Sequence, residues 1–219
     1  MSEIDRRWID ACVIAATAGV AAGFLDYAVR NWLDAGGAET PFGVTVSHAA
    51  VSAVLFGGSF AVFAWFSGAV LRWVLPAMPL RSWLVLHLAV GAALGFISAL
   101  MYSAPTGVPL DGSGLGLRGW MLFVFYYGAY CALYGAAVGS LQALVLRRAA
   151  EDTRSWIGIS ILAMVVLALL TSPVAWFYPS DGTFAREAAA LASIFVGAVA
   201  QGFVMLLALR SLRPRRLTS

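Results

Sequence analysis

Residues 81–102 read RSWLVLHLAVGAALGFISALMY. The segment opens on Arg81 and Trp83 and then carries no Asp, Glu or Arg until Asp111. About 20 helical residues cross the hydrocarbon core of a bilayer, so this run reads as a transmembrane helix. It lacks the period-two alternation of a barrel strand. In lipid a helix is also the form that satisfies its own backbone. His87, Gly91, Gly95 and Ala99 recur every fourth residue and share one face of that helix.

Five more runs of this kind lie around it, giving six spans near 8–29, 44–71, 82–102, 119–146, 156–178 and 186–209. The composition agrees. Of 219 residues, 61% are hydrophobic and 11% charged, against about 25% charged in a soluble domain. The expected fold class is therefore all-α: a polytopic membrane protein forming a single six-helix transmembrane domain over residues 1–219. All 14 basic residues are Arg. With no Lys there is no Schiff base, which excludes a retinal protein.

Orientation follows from the arginines. Eleven fall at the ends holding residues 6–7, 72–81, 147–154 and 210–216; only Arg30, Arg118 and Arg186 fall on the other side. By the positive-inside rule both termini are expected in the cytoplasm, in the inner membrane of a prokaryote. The basic tail 210–216 is expected on anionic headgroups of the lipid bilayer. The net charge of +3 reflects this topology and gives no reason to expect a nucleic-acid partner.

The chain reads as three hairpins, about 6–72, 81–147 and 154–210. Each opens with Arg-x-Trp and an aliphatic residue: Arg6-Arg7-Trp8-Ile9, Arg81-Ser82-Trp83-Leu84 and Arg154-Ser155-Trp156-Ile157. Each ends in Leu-Arg, at Arg72, Arg147 and Arg210. The starts are 75 and then 73 residues apart. Two origins remain open: a triplication, or interface chemistry alone, which puts Trp at headgroup level and Arg inside.

Small residues at spacing four are the signature of close helix contact in membranes. Gly19 and Gly23 on the first helix, Gly91 and Gly95 on the third, and Gly135 and Gly139 on the fourth are the expected packing positions. Helices one, three and four should then form a tight inner cluster. The fifth helix, with no Gly after Gly158, should be the most lipid-exposed, or the face for a partner protein.

Few polar residues lie within the spans, and each is a candidate ligand or polar contact. Asp26 and Arg30 stand four apart, the order that favours an ion pair. His87 could ligate a haem or pigment metal, but His48 starts helix two at the opposite side and cannot share it. A hydrogen bond from His87 to a carbonyl is the simpler expectation. Gln142 and Gln201, at different depths, suit contacts across helices. Asp111 and Ser113 in the longest outer loop are explained by turn chemistry.

Catalytic templates fail. Ser59 lacks a His within reach, no span holds paired carboxylates, and Cys12 and Cys131 are single. No catalytic residue, no metal site and no resident cofactor are expected. These readings leave a non-catalytic membrane subunit that packs into a larger complex or a homo-oligomer. The alternative is a small-solute transporter, or its substrate-binding subunit, with the solute near Gln142 or Gln201.

Overall fold

A computed structural model of the chain describes residues 1–35, 41–103, 116–177 and 184–215. Six helices make up the fold: α1 (Glu3–Ala35), α2 (Pro41–Val74), α3 (Leu80–Ser103), α4 (Gly116–Leu146), α5 (Arg154–Phe177) and α6 (Phe184–Ser211). All six are long and apolar enough to cross a membrane. Multi-pass membrane insertion and an all-helical fold thus stand. Asp111 and Ser113 lie outside the described residues.

The helices outrun the apolar windows because polar ends are good helix termini. Ser2 and Asp5 form a reciprocal cap: the Ser2 amide donates to Asp5 Oδ2 (2.9 Å) and the Asp5 amide to Ser2 Oγ (3.1 Å). That arrangement starts α1 well before Trp8. Pro41 is the first residue of α2, where a missing N–H removes no helical bond. Pro76 follows the end of α2, and the chain turns through 75–79 into α3.

Successive helices pack side by side, α6 returns onto α1, and α3 against α4 is the loosest seam of the resulting ring. Both termini lie at one end, here the terminal end. Asp5 and Arg210 join there in a bidentate ion pair, with Arg210 Nε and an Arg210 terminal nitrogen donating to the two carboxylate oxygens at 3.1 and 2.7 Å. The tail runs beside the 147–153 turn: the Glu151 amide donates to Arg213 O (3.1 Å) and the Arg215 amide to Ala149 O (2.8 Å).

The ring corrects two expectations. Helices α1, α3 and α4 form no common cluster. Gly91 and Gly95 face α2, where an added Cβ would lie 2.7 Å from Phe56 O or overlap the Ser52 carbonyl. Gly135 and Gly139 face α5 at Ser160, and Gly23 faces Leu191 of α6. Gly19 faces open space, with nothing within 4 Å of an added Cβ. Small-residue stripes bring a helix close to whichever neighbour the chain connectivity supplies, so the stripes alone did not identify the partners. Nor is α5 the most exposed helix. It packs on both α4 and α6 and buries Trp156, Ser160, Ala163, Ala168, Thr171 and Ser172.

The densest part of the core sits at the terminal end. Trp8, Trp83 and Trp156 are at most 1% exposed and pack with Leu71, Leu75, Leu146 and Leu209.

Candidate functional site

Among the described residues two polar groups stand out in the ring, one toward each end. The first grows from the three Arg-x-Trp openings. Interface chemistry would leave these tryptophans at headgroup level. Instead the rings of Trp8 and Trp83 each meet Trp156 edge to face, with centroids 6.3 and 6.1 Å apart. Buried indoles need acceptors, and each finds one on another helix. Trp83 Nε1 donates to Ser67 Oγ on α2 (3.1 Å), Trp156 Nε1 to Gln142 Oε1 on α4 (2.9 Å) and Trp8 Nε1 to Gly202 O on α6 (3.0 Å).

Gln142 extends this set to His87. Gln142 Nε2 lies 2.9 Å from His87 Nε2, and His87 Nδ1 lies 2.8 Å from the Trp83 carbonyl. A carbonyl only accepts, so Nδ1 carries the proton and Nε2 accepts from the Gln142 amide. The direction of every bond is thereby settled: Trp156 to Gln142, Gln142 to His87, His87 to Trp83. The imidazole also packs in a tilted arrangement against the Trp83 and Phe63 rings, with centroids 4.3 and 5.4 Å away. Its metal-binding lone pair is taken by Gln142, so a haem or pigment metal would have to displace that amide. Gln201, nearer the middle of the ring, donates to Met164 Sδ at 3.2 Å, a weak acceptor.

The second group lies toward the opposite end. Asp26 is 18 residues beyond Trp8 on α1, about 27 Å along the helix. Ser52 Oγ of α2 donates to Asp26 Oδ1. One turn before it, His48 places Nε2 3.2 Å from the same oxygen, although no hydrogen bond of good geometry reaches that nitrogen. The two observations agree on a close approach that is poorly aligned. The His48 side chain is 6% exposed and that of Asp26 21%, so the imidazole is shut in and the carboxylate reaches outward. Gly95 of α3 backs onto Ser52 and lets α2 and α3 close behind the group. The expected pair of Asp26 with Arg30 cannot be followed, because the Arg30 side chain lies outside the described residues.

Sequence reading brought Asp26 forward, weighed His48 only as a partner for His87 or Ser59 and rejected it on distance, and passed over Ser52. A polar residue in each of two adjacent apolar spans was the available signal; the register that joins them comes from three dimensions. An open apolar groove of about 400 Å³ also runs between α1 and α6, lined by Val20, Phe24, Leu191 and Phe195 among others. Thr17 at its edge spends its hydroxyl on Val13 O. No family model matches the chain, and no curated protein or solved structure is significantly similar to it.

Proposed function

We propose that this chain is a non-catalytic integral membrane subunit that packs into a larger membrane complex or a homo-oligomer. It would sit in a prokaryotic inner membrane as three two-helix hairpins with both termini in the cytoplasm. The arginine distribution supports that orientation. The indole bonds support the hairpins: each hairpin's opening tryptophan donates to the second helix of the hairpin before it, and Trp8 closes the cycle on α6. The glycines at 23, 91, 95, 135 and 139 are then the close-contact positions within the subunit.

One observation carries the subunit reading: an aromatic face on α4 beside the loosest seam of the ring. Phe125, Tyr126, Tyr130 and Leu133 are 56–73% exposed there. Tyr126 is seven residues into the expected span 119–146, about 10 Å along the helix. Tyr130 lies one turn, about 6 Å, beyond Tyr126, and a phenol hydroxyl facing hydrocarbon favours a protein acceptor over lipid. The test is a photo-crosslinking residue in place of Leu133, activated in native membranes. A protein adduct of one fixed mass is expected. Lipid adducts alone, both there and at Tyr130, would overturn the reading.

The transporter alternative has its own support. The terminal end is plugged by three tryptophans, while Asp26, His48 and Ser52 stand toward the opposite end, an arrangement that suits a carrier closed to one side. Replacing Asp26 by Asn and His48 by Gln should then abolish uptake of its solute by a folded protein; unchanged uptake would sink that reading.

A further inference from the structure

We propose that Asp26, His48 and Ser52 form a proton-binding site, a coupled carboxylate–imidazole pair that takes up and releases one proton in the half of the membrane opposite the termini. The inference is independent of the subunit reading.

The argument starts from one short approach. His48 Nε2 and Asp26 Oδ1 lie 3.2 Å apart. Two bare acceptor atoms at that separation repel, so a proton must lie on one of them. Ser52 donates its hydroxyl to the same oxygen, which leaves the imidazole and the carboxylate to share the remaining proton traffic. With the carboxylate ionised and the imidazole neutral the group carries −1; with one more proton it carries 0. Uptake therefore consumes one proton from water, forms one N–H or O–H bond, and breaks no covalent bond other than that of the proton donor. The carboxylate is the member that reaches outward, and it is the point of entry.

Among the described side chains around the group, competing charge is sparse. On α1 the titratable neighbours along the helix are Tyr27 and Arg30. From α3, which backs Ser52, residues 88–99 bring none. On α6, which meets α1 at Leu191, the nearest in sequence are Arg186 and Glu187. The side chains of Arg30, Arg186 and Glu187 lie outside the described residues. Ionisable side chains inside a membrane are costly and tend to be used for proton or ion movement.

The chain contains two histidines, which makes the test direct. Protein labelled with ¹⁵N-histidine is placed in lipid nanodiscs and its imidazole signals are followed against pH. The His87 signals, from a ring bonded at both nitrogens, are the internal reference. The His48 signals are expected to follow a two-step curve, and Asp26→Asn to remove one step. Ser52→Ala keeps both titrating groups and should retain both steps. A single-step His48 curve in the unmodified protein overturns the proposal. So does a two-step curve that survives Asp26→Asn, or the loss of a step in Ser52→Ala. If Asp26→Asn does not fold, the unmodified and Ser52→Ala curves alone decide.

Discussion

Replacing Gln142 by Leu tests whether the Trp156–Gln142–His87–Trp83 chain holds the terminal end together. The substitution keeps side-chain bulk and removes both polar atoms. Two buried groups then lose their partners: the Trp156 indole N–H and the His87 Nε2 lone pair. Leaving a buried donor or acceptor unmade costs about 1–3 kcal/mol in water-soluble proteins. Bonds between membrane helices average about 0.6 and reach about 1.7 kcal/mol. Two such losses predict a destabilisation of about 1–3 kcal/mol. Gln201→Leu is the control, because it gives up only a bond to the Met164 thioether and should cost under about 0.5 kcal/mol. The assay is equilibrium unfolding in bicelles, with both variants in the same lipid. A second arm adds His87→Leu to Gln142→Leu. Removing the orphaned acceptor along with its donor should cost less than the two single effects summed. The reasoning is refuted if Gln142→Leu is no more destabilising than Gln201→Leu, or if the double variant is strictly additive.

The same unfolding assay checks three more expectations. Gly95→Ala should destabilise by about 1–3 kcal/mol, since its methyl would strike the Ser52 carbonyl, a rigid backbone atom. Gly19→Ala should be neutral or stabilising by up to about 1 kcal/mol, because it fills open space and improves helix propensity. Trp8→Phe keeps the edge-to-face contact with Trp156 and loses the bond to Gly202 O, so it should cost about 0.5–1.5 kcal/mol. Arg210→Gln should free the start of α1 from the end of α6, seen as faster amide exchange at residues 3–8, while Arg213→Gln, whose side chain is exposed, should leave that exchange unchanged.

The six helices were legible because lipid makes a single demand of the sequence. Every span must be apolar for about 20 residues, and nothing else in this chain looks like that. Helix ends were less legible, since Ser2, Asp5 and Pro41 act through capping rather than hydropathy. Partners were least legible. Gly91 and Gly95 advertise a close contact without saying with what, and the chain path assigned them to α2. The three Arg-x-Trp openings are the most instructive case. Tryptophan and arginine at a helix start satisfy interfacial chemistry well enough that spacing alone leaves triplication and interface chemistry both open. Yet the indoles point inward and find Ser67, Gln142 and Gly202. Ser67 and Gln142 stand 75 residues apart, the same interval as Trp8 and Trp83, a correspondence visible only once each was known to accept an indole.

That interval also separates what the ring requires from what it merely carries. Ser67 and Gln142 hold equivalent places and do equivalent work, so a polar acceptor at that level belongs to the architecture. Stepping 75 residues on from Asp26, His48 and Ser52 gives Met101, Phe123 and Tyr127. Two of these three are apolar, and none is a carboxylate or an imidazole. The second pair of helices therefore forms without the charged members of the group. A half-buried carboxylate beside a buried imidazole is a poor way to stabilise a fold, because desolvation offsets much of the attraction. The packing need at that level is met by Gly95 closing on the Ser52 backbone, which asks nothing of the three side chains. What distinguishes the first pair of helices is thus chemical rather than structural: the proposed proton-binding group, placed about 27 Å from the tryptophan cluster along α1, toward the end opposite the termini.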